Sequence, residues 1–154
     1  CKLNMSKKMK TLFSVKLPAV LLPVLILFVV LTAAGSVQAQ SLKNDSLYFC
    51  EEYTDSKEIG NSDEFYLPEK GGTITVMLRT VKAIGVVSVS ILIEKDVAGM
   101  REKISAEPFD IETHWDYIFF SDVFFPEPGK YKVSAVKKNG DVIASAYVRM
   151  LKGL

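Results

Sequence analysis

An all-β fold is what the sequence predicts: a single antiparallel β-sandwich of about seven strands in residues 40–154, behind a leader in residues 1–39. Three observations carry that expectation. Apolar and polar residues alternate with period two in short runs, and no long stretch keeps a helical period. Turn-forming residues separate the runs, most clearly the Asn139-Gly140 pair between the last two. The strongly apolar, non-alternating segment is confined to the N-terminus.

That N-terminal segment reads as an address. Lys2, Lys7, Lys8 and Lys10 form a basic start with no acid, and an apolar run follows from Leu17 to Ala34, interrupted by Pro18 and Pro23. Val37 and Ala39 then occupy small-residue positions before Gln40. Basic start, apolar run and small-residue end are the layout of a secretory signal peptide, with cleavage expected after Ala39. The alternative is an uncleaved anchor helix, because the run is near the length that spans a bilayer. Cys50 follows Leu47-Tyr48-Phe49, which lacks the small residues of a lipoprotein signal. The expected location of the processed chain is therefore secreted or periplasmic.

The strands are expected in this order. "SLYFCEEY" (Ser46–Tyr53) opens the domain, and the polar loop "TDSKEIGNSDE" follows. In "GGTITVMLR", Ile74, Val76 and Leu78 alternate with Thr73, Thr75, Met77 and Arg79. In "VVSVSILIEK", Val87, Val89, Ile91 and Ile93 form the apolar set. "REKISAEPFDI" is a weaker strand, and Pro108, which cannot donate to a ladder, places it at an edge or an end. "WDYIFFSDVFF" comes next, then "GKYKVSAVKK" and "DVIASAYVRM". Asn-Gly predicts a two-residue type I′ turn between the last two, because both its central residues need positive φ. That turn would place Tyr131 opposite Val148, Val133 opposite Ala146 and Ala135 opposite Ala144, all facing inward. On the other face it would pair Lys132 with Tyr147, Ser134 with Ser145, and Val136 with Ile143.

A wider pattern leads to the corner before the last hairpin. Ile118, Phe120 and Val123 precede Glu127, Gly129 and Tyr131, with Val133 two residues on. This spacing resembles the E–F region of the immunoglobulin-like superfamily, which includes fibronectin type III and PKD-like secreted bacterial modules. The resemblance implies that Tyr131 is a corner tyrosine whose hydroxyl bonds back to the backbone. It covers roughly the last forty residues well. It departs from antibody domains in lacking both disulfide cysteines and the tryptophan of strand C, and it speaks to fold more than to function.

Composition narrows the function classes. The leader carries five of the 19 basic residues and none of the 18 acidic ones, leaving 14 against 18 in residues 40–154. A net charge of about −4 lacks the basic footprint of a nucleic-acid binder. Cys50, the lone cysteine of that part, can close no internal disulfide and reads as a buried hydrophobe, the alternative being a pair between two chains. Cys50 and His114 lack the surroundings that activate a nucleophile–base pair, and no phosphate loop or nucleophile elbow is present. No cofactor and no enzymatic activity are expected. Asp55, Glu58 and Asp63 in the polar loop are weak calcium candidates, set against an ordinary solvated acidic loop.

Two surfaces remain. Val136, Ile143 and Tyr147 on the outer face of the last hairpin would form an apolar patch with a polar rim, suited to an envelope or extracellular protein partner. If the last strand were also an edge, it could accept a further strand. Alternatively, strand alternation would line up Trp115, Tyr117 and Phe119 as an aromatic platform for polysaccharide, unless a loop covers them.

Overall fold

The structure is a computed structural model and describes residues 43–153. The expected leader, residues 1–39 with cleavage after Ala39, lies outside the described residues. The described chain is all-β: β1 (Ser46–Cys50), β2 (Glu52–Thr54), β3 (Lys57–Ile59), β4 (Glu64–Leu67), β5 (Gly72–Arg79), β6 (Ser88–Val97), β7 (Met100–Asp110), β8 (Tyr117–Phe125), β9 (Gly129–Lys137) and β10 (Val142–Lys152). They form a three-stranded sheet in the order β1-β5-β8, a five-stranded sheet in the order β4-β10-β9-β6-β7, and the small hairpin β2-β3.

Two features differ from expectation. The region expected to be one strand and a polar loop holds β1 to β4, so ten strands are present among the described residues instead of about seven. β2 and β3 have three residues each and β4 has four, too short for alternation to register in the sequence. The larger sheet is also mixed, because β4 runs parallel to β10, with Arg149 opposite Glu64 and Lys152 opposite Leu67. A parallel pairing between segments so far apart in sequence leaves no local turn signal.

The alternating sets do bury as their pattern requires. Ile74, Val76 and Leu78 of β5, Val89, Ile91 and Ile93 of β6, and Tyr131, Val133 and Ala135 of β9 join one buried cluster with Ile118, Phe120, Val123 and Phe125 of β8. Each buried valine, leucine, isoleucine or phenylalanine among them contributes about 1.5–3 kcal/mol by leaving water. Val87, expected to continue the β6 set, precedes the strand and is exposed.

The uneven spacing of Phe120 and Val123, three residues apart yet both buried, is explained by a β-bulge. Phe120 lies opposite Val76 and Val123 opposite Ile74, so Ser121 and Asp122 together oppose Thr75. Asp122 takes a positive φ of 59° there. The extra residue resets the alternation and returns Val123 and Phe125 to the core. At the following corner, the buried Tyr131 hydroxyl donates to the Glu127 carbonyl (2.7 Å), the bond the corner pattern requires. The Glu127 carboxylate pairs with the Lys95 ammonium, and Lys95 also lies near the Tyr131 ring, so three groups hold this turn.

The last hairpin keeps its main register but not its turn. Tyr131–Val148, Val133–Ala146 and Ala135–Ala144 are paired as expected. The turn, however, spans Lys138 to Gly140. The Gly140 amide donates to the Lys137 carbonyl (2.9 Å), and the Lys137 amide donates to the Asp141 carbonyl (2.8 Å). Gly140 alone in this loop has positive φ, at 93°. This is the three-residue solution in which a left-handed glycine forms a bulge. Val142 then pairs with Val136, and Ile143 is passed over before Ala144 meets Ala135. One residue gained at the turn is thus given back two residues later.

Candidate functional site

The outward faces of the two larger sheets are the candidate surfaces, and they are built differently. On the three-stranded sheet, Thr75 and Met77 point away from the core yet are buried. The β2-β3 hairpin explains this, since β2 packs against both β5 and β8. The Tyr53 ring lies tilted over Phe119 with centroids 4.4 Å apart and stands edge-on to Tyr117 at 5.9 Å.

A polar clasp fastens the hairpin. The half-buried Glu58 carboxylate accepts hydrogen bonds from the Tyr48 hydroxyl (2.6 Å), the Tyr117 hydroxyl (2.5 Å) and the Asn61 amide (2.5 Å). The Arg79 guanidinium approaches the same carboxylate at 3.8 Å and lies over the Tyr117 ring at 4.6 Å. Burial alone would raise the Glu58 pKa, but the bonds from Tyr117, Tyr48 and Asn61 and the Arg79 charge win and lower it. Burial first, then the bond to Glu58, pushes the Tyr48 hydroxyl well above its usual range. Glu58 therefore stays ionised and the tyrosines stay protonated, which is the arrangement in which the carboxylate accepts from Tyr48, Tyr117 and Asn61 together.

This clasp occupies the acidic loop that carries the calcium candidates Asp55, Glu58 and Asp63. The Glu58 oxygens already accept three donors, and no three His, Cys, Asp or Glu side chains converge on a possible metal position among the described residues. Asp55 sits in the β2-β3 turn at a φ of 50°, and Asp63 is exposed at the approach to β4, where its carbonyl accepts the Arg149 amide. The three candidates do not form a site.

The aromatic platform is also rearranged. Trp115 precedes β8 and belongs to the turn after Ile111, so strand alternation does not align it with Tyr117 and Phe119. Trp115 and Phe119 remain 37% and 48% exposed, while Tyr53 covers part of the row with non-parallel rings. His114 is exposed near Glu112 (Nδ1–Oε2, 3.4 Å). Cys50 is buried, and burial followed by the Glu58 charge pushes its thiol pKa up. A thiol kept neutral in this way is a weak nucleophile.

On the five-stranded sheet the outward face is open. Tyr147 lies opposite Lys132, Lys132 opposite Glu94, and Glu94 opposite Lys103, forming one row across four strands. The next row holds Glu64, Arg149 and Lys130, with Asp96 opposite Arg101 at the far side. Tyr147 is 48% exposed, its hydroxyl accepts a bond from Arg101 Nη2 (2.9 Å), and Lys130 Nζ lies 4.9 Å from its ring centroid. In these two rows five cations face three carboxylates, with Asp63 at the cleft beside Lys130, Tyr147 and Arg149, although residues 40–154 as a whole are acidic.

The patch expected from the hairpin is not assembled as Val136, Ile143 and Tyr147. Ile143 is the residue passed over by the bulge and packs against the core, while Val142 takes its place beside Val136, 56% exposed. Tyr147 stands apart among the cations. β4 flanks β10 only along Arg149–Lys152, and Val142–Val148 pair with β9 alone among the described residues. Arg101, Lys130 and Lys132 were not singled out by sequence reasoning, although the Lys132–Tyr147 pairing was legible from the hairpin; Arg101 reaches Tyr147 across the sheet, which no local pattern encodes.

Comparison of the sequence with protein-family models and with curated proteins finds no match.

Proposed function

We propose that this chain is a secreted or periplasmic, non-catalytic binding module with an immunoglobulin-like β-sandwich fold, and that it engages an acidic surface of another envelope or extracellular protein through the outward face of the five-stranded sheet. The leader pattern in residues 1–39 supports the location. The shared core of the two larger sheets and the Tyr131 corner bond support the fold. The observation that carries the binding reading is the exposed Tyr147 ring held among Arg101, Lys130 and Lys132 on an otherwise acidic domain. Tyrosine and arginine are the residue types that anchor protein interfaces, and a cationic face steers an acidic partner.

The test is retention of native envelope protein on an immobilised column of this chain, compared with a Tyr147→Ala, Arg101→Ala variant. A defined acidic protein held by the parent and lost from the variant is the expected result. Equal retention by both columns rules this face out. A polysaccharide partner at Trp115, Tyr117 and Phe119 has the partial exposure of those rings in its favour, but Tyr53 occupies the stacking face of Phe119. Glycan binding that shifts Trp115 fluorescence would move the assignment there.

A further inference from the structure

Of the four strands that end the two larger sheets, β7 and β8 leave their edges unpaired in ways that contrast. β7 closes one end of the five-stranded sheet and β8 closes one end of the three-stranded sheet. β7 carries the devices that keep an edge from pairing with another chain. Pro108 removes a donor, Ile104 is passed over in a bulge, and Arg101, Glu102, Lys103, Glu107 and Asp110 place charge along its length. β8 has no proline and no lysine. Its one carboxylate is Asp122, in the bulge, and Tyr117, Phe119 and Phe124 are 37%, 48% and 44% exposed along its outward side. No backbone group of β8 bonds to anything but β5 among the described residues.

We propose that the β8 edge is a self-association site, at which a second copy of this chain adds its own β8 in antiparallel register about a two-fold axis. The strand is its own complement in that arrangement. With Phe120 opposite Phe120 of the second copy and the bulged Ser121 and Asp122 counted as one position, the pairing sets Tyr117 opposite Phe124 of the second copy and Ile118 opposite Val123 of the second copy, each twice by symmetry. The first pair lies outward on both strands and the second lies on the core side of both, because the bulge resets the alternation between them. Aromatic and β-branched cross-strand pairs of this kind are the stabilising unit of a sheet. The same register places Asp122 opposite Phe119 of the second copy, so the carboxylates do not meet, whereas an in-register parallel pairing would stack each Asp122 on its counterpart. An isologous contact of this type closes after two copies. It would join two three-stranded sheets into one of six strands.

This inference is independent of the proposed partner face, since β8 and Tyr147 lie in different sheets. Sedimentation equilibrium of the chain expressed from its full sequence, over a wide concentration range, tests it. A concentration-dependent dimer is expected, and Phe124→Lys should weaken it about tenfold or more, because by symmetry it breaks two cross-strand pairs. Met100→Lys, at the exposed start of β7, should leave it unchanged. Amide hydrogen exchange supplies a readout that does not depend on any variant: protection within Tyr117–Phe125 should rise with protein concentration. A monomer at every concentration, a dimer indifferent to Phe124→Lys, or a dimer lost in Met100→Lys would each overturn the assignment.

Discussion

The outward face of the three-stranded sheet and that of the five-stranded sheet start from similar material and end differently. Both carry tyrosines flanked by arginine or lysine. On the first, the chain folds its own β2-β3 hairpin over the surface, and Thr75, Met77 and Cys50 become buried beneath a Glu58-centred clasp. On the second no hairpin covers Tyr147 among the described residues, and Arg101 and Lys130 beside it are exposed. An aromatic and charged cluster is therefore not a functional surface in itself. The difference lies in whether each polar group already has an internal partner. Glu58 is fully engaged, while Lys130 and Lys132 are charges with capacity to spare.

The largest expected effect that separates the two faces is at Met77. Met77→Ala should lower stability by about 2–5 kcal/mol, as for a core position, although the residue points away from the main core. Urea unfolding measures it, and a loss below about 0.5 kcal/mol would show that the hairpin does not cover this face in solution.

Glu58 comes next. Glu58→Ala leaves the Tyr48 and Tyr117 hydroxyls without their acceptor and should cost about 1–3 kcal/mol. Loosening of the hairpin should also speed labelling of the Cys50 thiol by a small maleimide. The sign of the pH dependence follows from the lowered Glu58 pKa. Its stabilisation is present in full above the ordinary glutamate range and is lost as pH falls through the lowered value. The stability gap between the parent and Glu58→Gln should accordingly be widest near neutrality and close in acid. A gap that is constant with pH would mean the carboxylate charge contributes nothing to the clasp.

The smallest effect on stability is at Tyr147. Tyr147→Ala should change unfolding free energy by only about 0.5 kcal/mol or less, since its contacts are exposed. A much larger loss would make the ring a structural brace and remove the contrast with the covered face.

Legibility in the sequence followed the same division between local and distant causes. The period-two sets of β5, β6 and β9 declared their inward residues, because alternation is a property of one strand and its solvent. The resemblance carried by the spacing from Ile118 to Tyr131 foretold the Tyr131 corner bond, but not the bulge that returns Val123 to the core. Ile143 was misplaced for a reason of comparable size to a single residue: two-residue and three-residue turns are both compatible with Asn139-Gly140, and each one-residue difference inverts a side chain. The clasp was out of reach, since Tyr48, Glu58, Arg79 and Tyr117 come from four strands and look in isolation like ordinary surface residues.

By itself, then, the sequence determined the all-β class, the main register of the last hairpin, the edge position of the Pro108 strand and the inward sets, because each depends on periodicity or on the backbone limits of one residue type. Only the tertiary structure decided that β4 joins β10 in parallel, that Ile143 turns inward, that Glu58 fastens the hairpin to Tyr48 and Tyr117, and that Tyr147 stands open among cations. Those outcomes depend on which distant segment arrives to satisfy a backbone edge or a charge, and no local pattern carries that information.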